Sequence, residues 1–147
     1  MYDHVLVPTD GSATVPETLD HAIPLAASND ATIHALYVID TRITNAAADE
    51  TREELRATLE SEGEAAVTEV LDRAEAAGVD AVDTVRAGTP SKTILDYVEE
   101  ADIDLVVIGT RGKSPREKVT SLGSVSERVV DNASVPVFVV RNAGVEK

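Results

Sequence analysis

The sequence contains no cysteine. Disulfides, thiolate chemistry and cysteine-based metal sites are therefore excluded. Aromatic residues are only 3% of the chain, and 13 basic residues stand against 27 acidic ones. Only four of the basic residues are lysine, so a basic face studded with aromatics, as nucleic-acid recognition needs, has no material. No apolar run approaches the length of a membrane span. Met1 leads directly into a strand-like Val5-Leu6-Val7 with no signal-peptide pattern, so the expectation is a soluble cytoplasmic protein. His4, His21 and His34 stand at unrelated spacings, with no metal-ligand pattern, and read as structural or surface groups.

What is present is one domain's worth of chain, 147 residues, with 43% hydrophobic residues in periodic runs. That periodicity argues against disorder despite a formal charge of −14. An acid-coated folded surface suits concentrated salt, where self-repulsion is screened, and points to a halophilic source.

In chain order, Val5-Leu6-Val7-Pro8 reads as a strand and Thr9-Asp10-Gly11-Ser12 as the turn after it. Thr14 with Glu17 forms a capping box, and Leu19, Ala22, Ile23 and Ala26 form a helical stripe that Pro24 should kink or shorten. Thr32 to Ile39 is the second strand, closing at Asp40, and the polar, Ala-rich 41–48 shows no period and reads as loop. Glu50 to Ala77 is a long helix weakened at Gly63 and stopped by Gly78, its Glu/Asp/Arg run over 49–64 being a solvated face. A third strand spans Val79 to Arg86, and Thr89-Pro90 opens a helix with Ile94, Leu95, Val98 and Ala101 inward. Val135 to Val140 is the last strand. Alternating strands and helices, with strands that are near-continuous Val/Ile/Leu runs, predict a doubly wound parallel sheet.

The most informative stretch is 104–130. Leu105 to Ile108 forms a strand that breaks at Gly109, passes Gly112 and reaches Gly123-Ser124, where Ser124 and Glu127 cap a new helix. Glycines let the backbone approach an anion, and the amides of a first helical turn point at it. Arg111, Lys113, Arg116 and Lys118 gather in this one loop of an otherwise acidic chain, as a phosphate would require. Simpler roles compete: an Asx turn at Asp10, plain helix capping at Ser124, loop glycines at 109 and 112, and a solvated charge run over 111–118.

These residues resemble the universal stress proteins, in the branch that carries a nucleotide-binding loop. The resemblance spans the chain: VLVPTDGS, LYVID, the Gly-Thr-Pro turn at 88–90, and GTRGK…LGSVSERVV through VPVFVVR. The family loop is Gly-x2-Gly-x9-Gly-Ser/Thr, and here ten residues separate Gly112 from Gly123, one more than the pattern. The resemblance implies a five-stranded parallel sheet of order 3-2-1-4-5, of the adenine nucleotide alpha hydrolase-like type. It also implies ATP or a related adenine nucleotide bound across strands one and four. Pro8, Thr9 and Asp10 would belong to the site, with Asp10 facing the adenosine part and the Val38 backbone at the adenine edge. Gly109 and Gly112 would line the ribose and phosphates, flanked by Arg111 and Lys113. The amides of Gly123, Ser124 and Val125, and the Ser124 and Ser126 hydroxyls, would meet the phosphates. Mg2+ or Mn2+ would be held mainly through those phosphates. A homodimer through Val135–Arg141 would cover an apolar edge strand containing the chain's only Phe, leaving a further protein partner unknown.

Three functions remain open at this point. The first is a regulatory ATP-binding module with little or no catalysis, since no general base or nucleophile stands near the expected γ-phosphate. The second is a slow ATP hydrolase or phosphotransferase using Arg111 and Lys113. The third is a dimeric interaction protein with a vestigial site. Receiver domains fit poorly because Gly88 and Arg141 stand where Asp and Lys are needed, and Thr9-Asp10-Gly11-Ser12 is not a dinucleotide-binding fingerprint.

Overall fold

The computed structural model describes residues 2–11, 15–109 and 124–141. Among them the chain runs β1 (His4–Pro8), α1 (Val15–Asn29), β2 (Thr32–Asp40), α2 (Thr41–Ala46) and α3 (Asp49–Ala76). It continues through β3 (Ala81–Gly88), α4 (Pro90–Glu100), β4 (Leu105–Gly109), α5 (Ser124–Asn132) and β5 (Val137–Val140). The strands form one parallel sheet in the order β3-β2-β1-β4-β5, as the family resemblance implied. Alternation along each strand divides the core between the two faces. Val5, Val7, Leu105 and Val107 pack with Leu19, Ala22, Val67 and Val70 of α1 and α3. Leu6, Leu36, Val106 and Ile108 pack with Ile94, Val98 and Val129 of α4 and α5.

Three local expectations need correction. The stretch 41–48 is not loop throughout, because Thr41–Ala46 is helical. Six residues are too few to show a period or to stand alone as a helix. Side chains hold α2 instead: Asp40 accepts from Arg42 N at 3.0 Å, and the Arg52 guanidinium donates to the carbonyls of Thr44, Asn45 and Ala47 at 3.1, 3.4 and 3.1 Å. Pro24 does not shorten α1, which continues to Asn29. Pro24 and Asp20, whose carbonyl loses its helical donor to the proline ring, are both exposed residues. The reading of Gly63 as a weak point is incomplete. A Cβ there would lie 2.6 Å from Tyr37 Cδ2, so the missing side chain is what lets α3 close on β2.

Candidate functional site

The site arises from unequal strand lengths. β1 pairs with β2 from His4↔Thr32 to Pro8↔Leu36, and Thr9 N–H closes that ladder on Leu36 O at 2.8 Å. β2 continues to Asp40 beside β3. On the other side, β1 and β4 pair only at Val5↔Leu105 and Leu6↔Val106, after which the strands part while β4 runs on to Gly109. The sheet order reverses between these two strands, the place where open parallel sheets hold ligands. A cleft of about 350 Å3 fills the gap.

The main chain of β2 supplies one edge of this cleft. Thr32 N–H donates toward β1 (Asp3 O, 2.9 Å) and Ile33 N–H toward β3 (Asp80 O, 2.9 Å), so even-numbered residues of β2 turn toward β1. Val38 follows Leu36 in that alternation, beyond the end of β1. Its N–H and C=O therefore face the gap, offering a donor and an acceptor side by side.

Of the residues picked out in the sequence, Pro8, Thr9, Asp10, Val38, Gly109, Val125 and Ser126 all line this cleft. Ser124 is the first residue of α5. Arg111, Gly112, Lys113 and Gly123 lie outside the described residues. The turn after β1 is closed by Thr9, whose Oγ1 accepts the Gly11 N–H at 3.1 Å. Gly109 must lack a side chain, because a Cβ would collide with Thr18 Oγ1 from α1. Ser126 is buried, and its hydroxyl donates to Gly109 O at 3.3 Å, joining the first turn of α5 to the end of β4. This bond commits to the strand end a hydroxyl hydrogen that the family resemblance assigned to phosphate.

Sequence reasoning missed Thr18, Tyr37, Asp40, Arg42, Ile43, Pro90 and Ile94, which also line the cleft. Asp40 and Pro90 carried a signal, since Asp40 ends β2 and Pro90 comes just after β3, at the carboxyl ends of strands where ligands collect. Arg42 grips Asp40 as a fork, Nε to Oδ1 at 2.9 Å and Nη2 to Oδ2 at 2.8 Å. Those hydrogen bonds hold the Asp40 carboxyl below its ordinary range. Burial pushes the Tyr37 phenol up, and the Glu62 and Asp10 carboxylates add to the shift.

The histidines belong elsewhere. His34 is buried at the other end of β2, with Nε2 3.0 Å from His4 Nδ1 and Nδ1 2.8 Å from the Tyr97 hydroxyl. No group of three potential metal-ligating side chains occurs among the described residues, and none of their helices is long and apolar enough to cross a membrane.

A five-stranded, doubly wound parallel domain with a cleft at its order reversal is a nucleotide-binding type of architecture. The model of the universal stress protein family matches residues 1–141, and the chain belongs to that family. It is similar to universal stress protein MJ0531 of Methanocaldococcus jannaschii, 37% identical over 142 residues, covering 96% of this chain and 83% of the relative. The solved structure of MJ0577 from the same organism superposes with a TM-score of 0.84 at 28% identity, covering 98% of this chain and 99% of that one. A universal stress protein solved in complex with cAMP superposes with a TM-score of 0.70 at 25% identity, covering 97% and 98%.

Proposed function

We propose that this protein binds an adenine nucleotide, ATP foremost, in the cleft between β1 and β4, and acts as a regulatory stress-response module with little or no catalysis. The observation that carries the reading is the Val38 main chain, a donor and an acceptor facing a gap of nucleotide size beyond the end of β1. Adenine presents the complementary pair on its N1/N6 edge. The start of α5 lies at the far side of the same cleft, where first-turn amides suit phosphate. The relative solved with cAMP supports an adenine ligand in this fold.

The regulatory part rests on the cleft's chemistry. Among the described lining residues there is no histidine, and of the two carboxylates Asp40 is engaged by Arg42. With no three-residue ligand group among the described residues, Mg2+ or Mn2+ would be held through the nucleotide's phosphates. Calorimetric titration with ATP, ADP and AMP plus magnesium in molar salt tests the reading. Saturable heats are expected with ATP. No heat with any of the three would leave a vestigial site, and phosphate release at ordinary enzyme rates would replace regulation by hydrolysis.

The same proposal includes cytoplasmic location, a halophilic setting and a homodimer. Phe138, 40% exposed on the edge strand β5 beside His21, supports the dimer. Light scattering should give twice the chain mass for the wild type and a monomer for Phe138→Asp. A folded wild-type monomer at high concentration would remove the dimer from the proposal.

A further inference from the structure

The short helix α2 is held more firmly than its own burial explains. Only Thr44 of its six residues is buried. Yet Asp40 caps its start, the Asp40–Arg42 fork braces that cap, and Arg52 of α3 binds three carbonyls at its end while pairing with Asp49 at 3.2 Å. A six-residue segment with so little core would otherwise be marginal as a helix. What this bracing fixes in space is Ile43, which lines the cleft and is the most exposed large hydrophobic of the described residues, at 53%. Ile43 follows Val38 by five positions, on the helix that directly succeeds β2, and both residues line the cleft. Pro90, the first residue of α4 after β3, adds a second apolar surface to the lining.

We infer that α2 is the base-side wall of the cleft, with Ile43 the surface on which the ligand's planar ring packs. The inference rests on the nucleotide reading above and adds to it which side chains judge the base. An apolar wall takes up ring area without regard to the phosphate chain. Its contribution should therefore be the same for mono-, di- and triphosphates, whereas groups near the phosphates should separate them. Arg52 is a positioning residue here, because it holds the end of α2 and is not itself in the lining.

The test is titration of ATP, ADP and AMP, with magnesium, into the wild type, Ile43→Met, Ile43→Asp and Arg52→Ala, alongside urea melts. Ile43→Asp should weaken all three nucleotides by a common factor of about ten, as loss of roughly half an isoleucine's burial implies. Ile43→Met, which keeps the apolar volume, should bind within about threefold of wild type. Arg52→Ala should fall between the two, with the tri- to monophosphate ratio unchanged. Since Ile43 is half exposed, the urea midpoint of Ile43→Asp should stay near wild type. If the wild type binds and Ile43→Asp binds equally well, the wall is wrong and the nucleotide reading stands. If Ile43→Asp weakens ATP far more than AMP, charge and not ring packing is responsible, and the inference falls. If the wild type binds no nucleotide, the parent reading fails and takes the wall with it.

Discussion

The two ends of the sheet are built from the same strands and finish in opposite ways. At the amino end every strand start is stitched to its neighbour. The Asp104 carboxylate accepts the Asp3 and His4 amides at 2.8 and 3.0 Å, while Asp104 N–H returns to His4 O at 2.9 Å. Thr32 and Ile33 reach Asp3 and Asp80, and His4, His34 and Tyr97 form a hydrogen-bonded row beneath. At the carboxyl end the strands stop at different heights, and the Val38 main chain turns toward a gap. Buried polar groups are costly unless paired. An end that satisfies itself contributes stability, and an end that leaves groups for something else to satisfy contributes recognition.

The contrast can be broken from either side. The largest expected effect is at the open end. Gly63→Ala would press a methyl group against Tyr37, which lines the cleft, and should destabilise by about 1–3 kcal/mol, read as a lowered urea midpoint with weakened ATP binding. Wild-type stability in that variant would mean α3 and β2 have room that their contact distance denies. At the closed end, Asp104→Ala strips two amides of their acceptor. Being largely solvated there, it should cost only about 1 kcal/mol and leave nucleotide affinity untouched. A change in affinity would show that the two ends are coupled.

The smallest effect is one of pH. Burial, and then the nearby His4, lower the His34 pKa from 6.5. Below pH 6.5 the unfolded chain takes up a proton that folded His34 resists, so stability is full above that value and declines as pH falls toward the lowered one. Melts at pH 7.5 and 5.5 should show the decline, and His34→Gln should flatten it. Asp40 and Asp104 are lowered from 3.8 and therefore contribute their own loss only in stronger acid.

The parts of this molecule that were legible in the sequence are those written in periodic apolar residues. The runs at 5–7, 33–39 and 105–108 announce parallel strands, and the stripes of α1, α3 and α4 announce their covering helices. Strand order came from the family resemblance, since periodicity does not say which strand is central. Asp10, Val38 and Gly109 were named from that resemblance and meet in one cleft. What stayed hidden was written in contacts between distant residues. The identity of α2 depends on Arg52 reaching back to its carbonyls, and Gly63 makes sense only against Tyr37. Both depend on tertiary neighbours that no local window contains. The loop glycine and cations, Gly112, Arg111 and Lys113, lie outside the described residues.

The alternation at the tip of β2 carries its own timing signature. Ile39 points its amide at β3 and Val38 points its amide at the gap. In deuterated solvent, neighbouring hydrogens on one rigid strand should then be lost at very different speeds, the 38th quickly and the 39th slowly. A guest filling the notch would slow the faster one selectively, so two adjacent residues form an internal clock for occupancy that needs no assay of turnover.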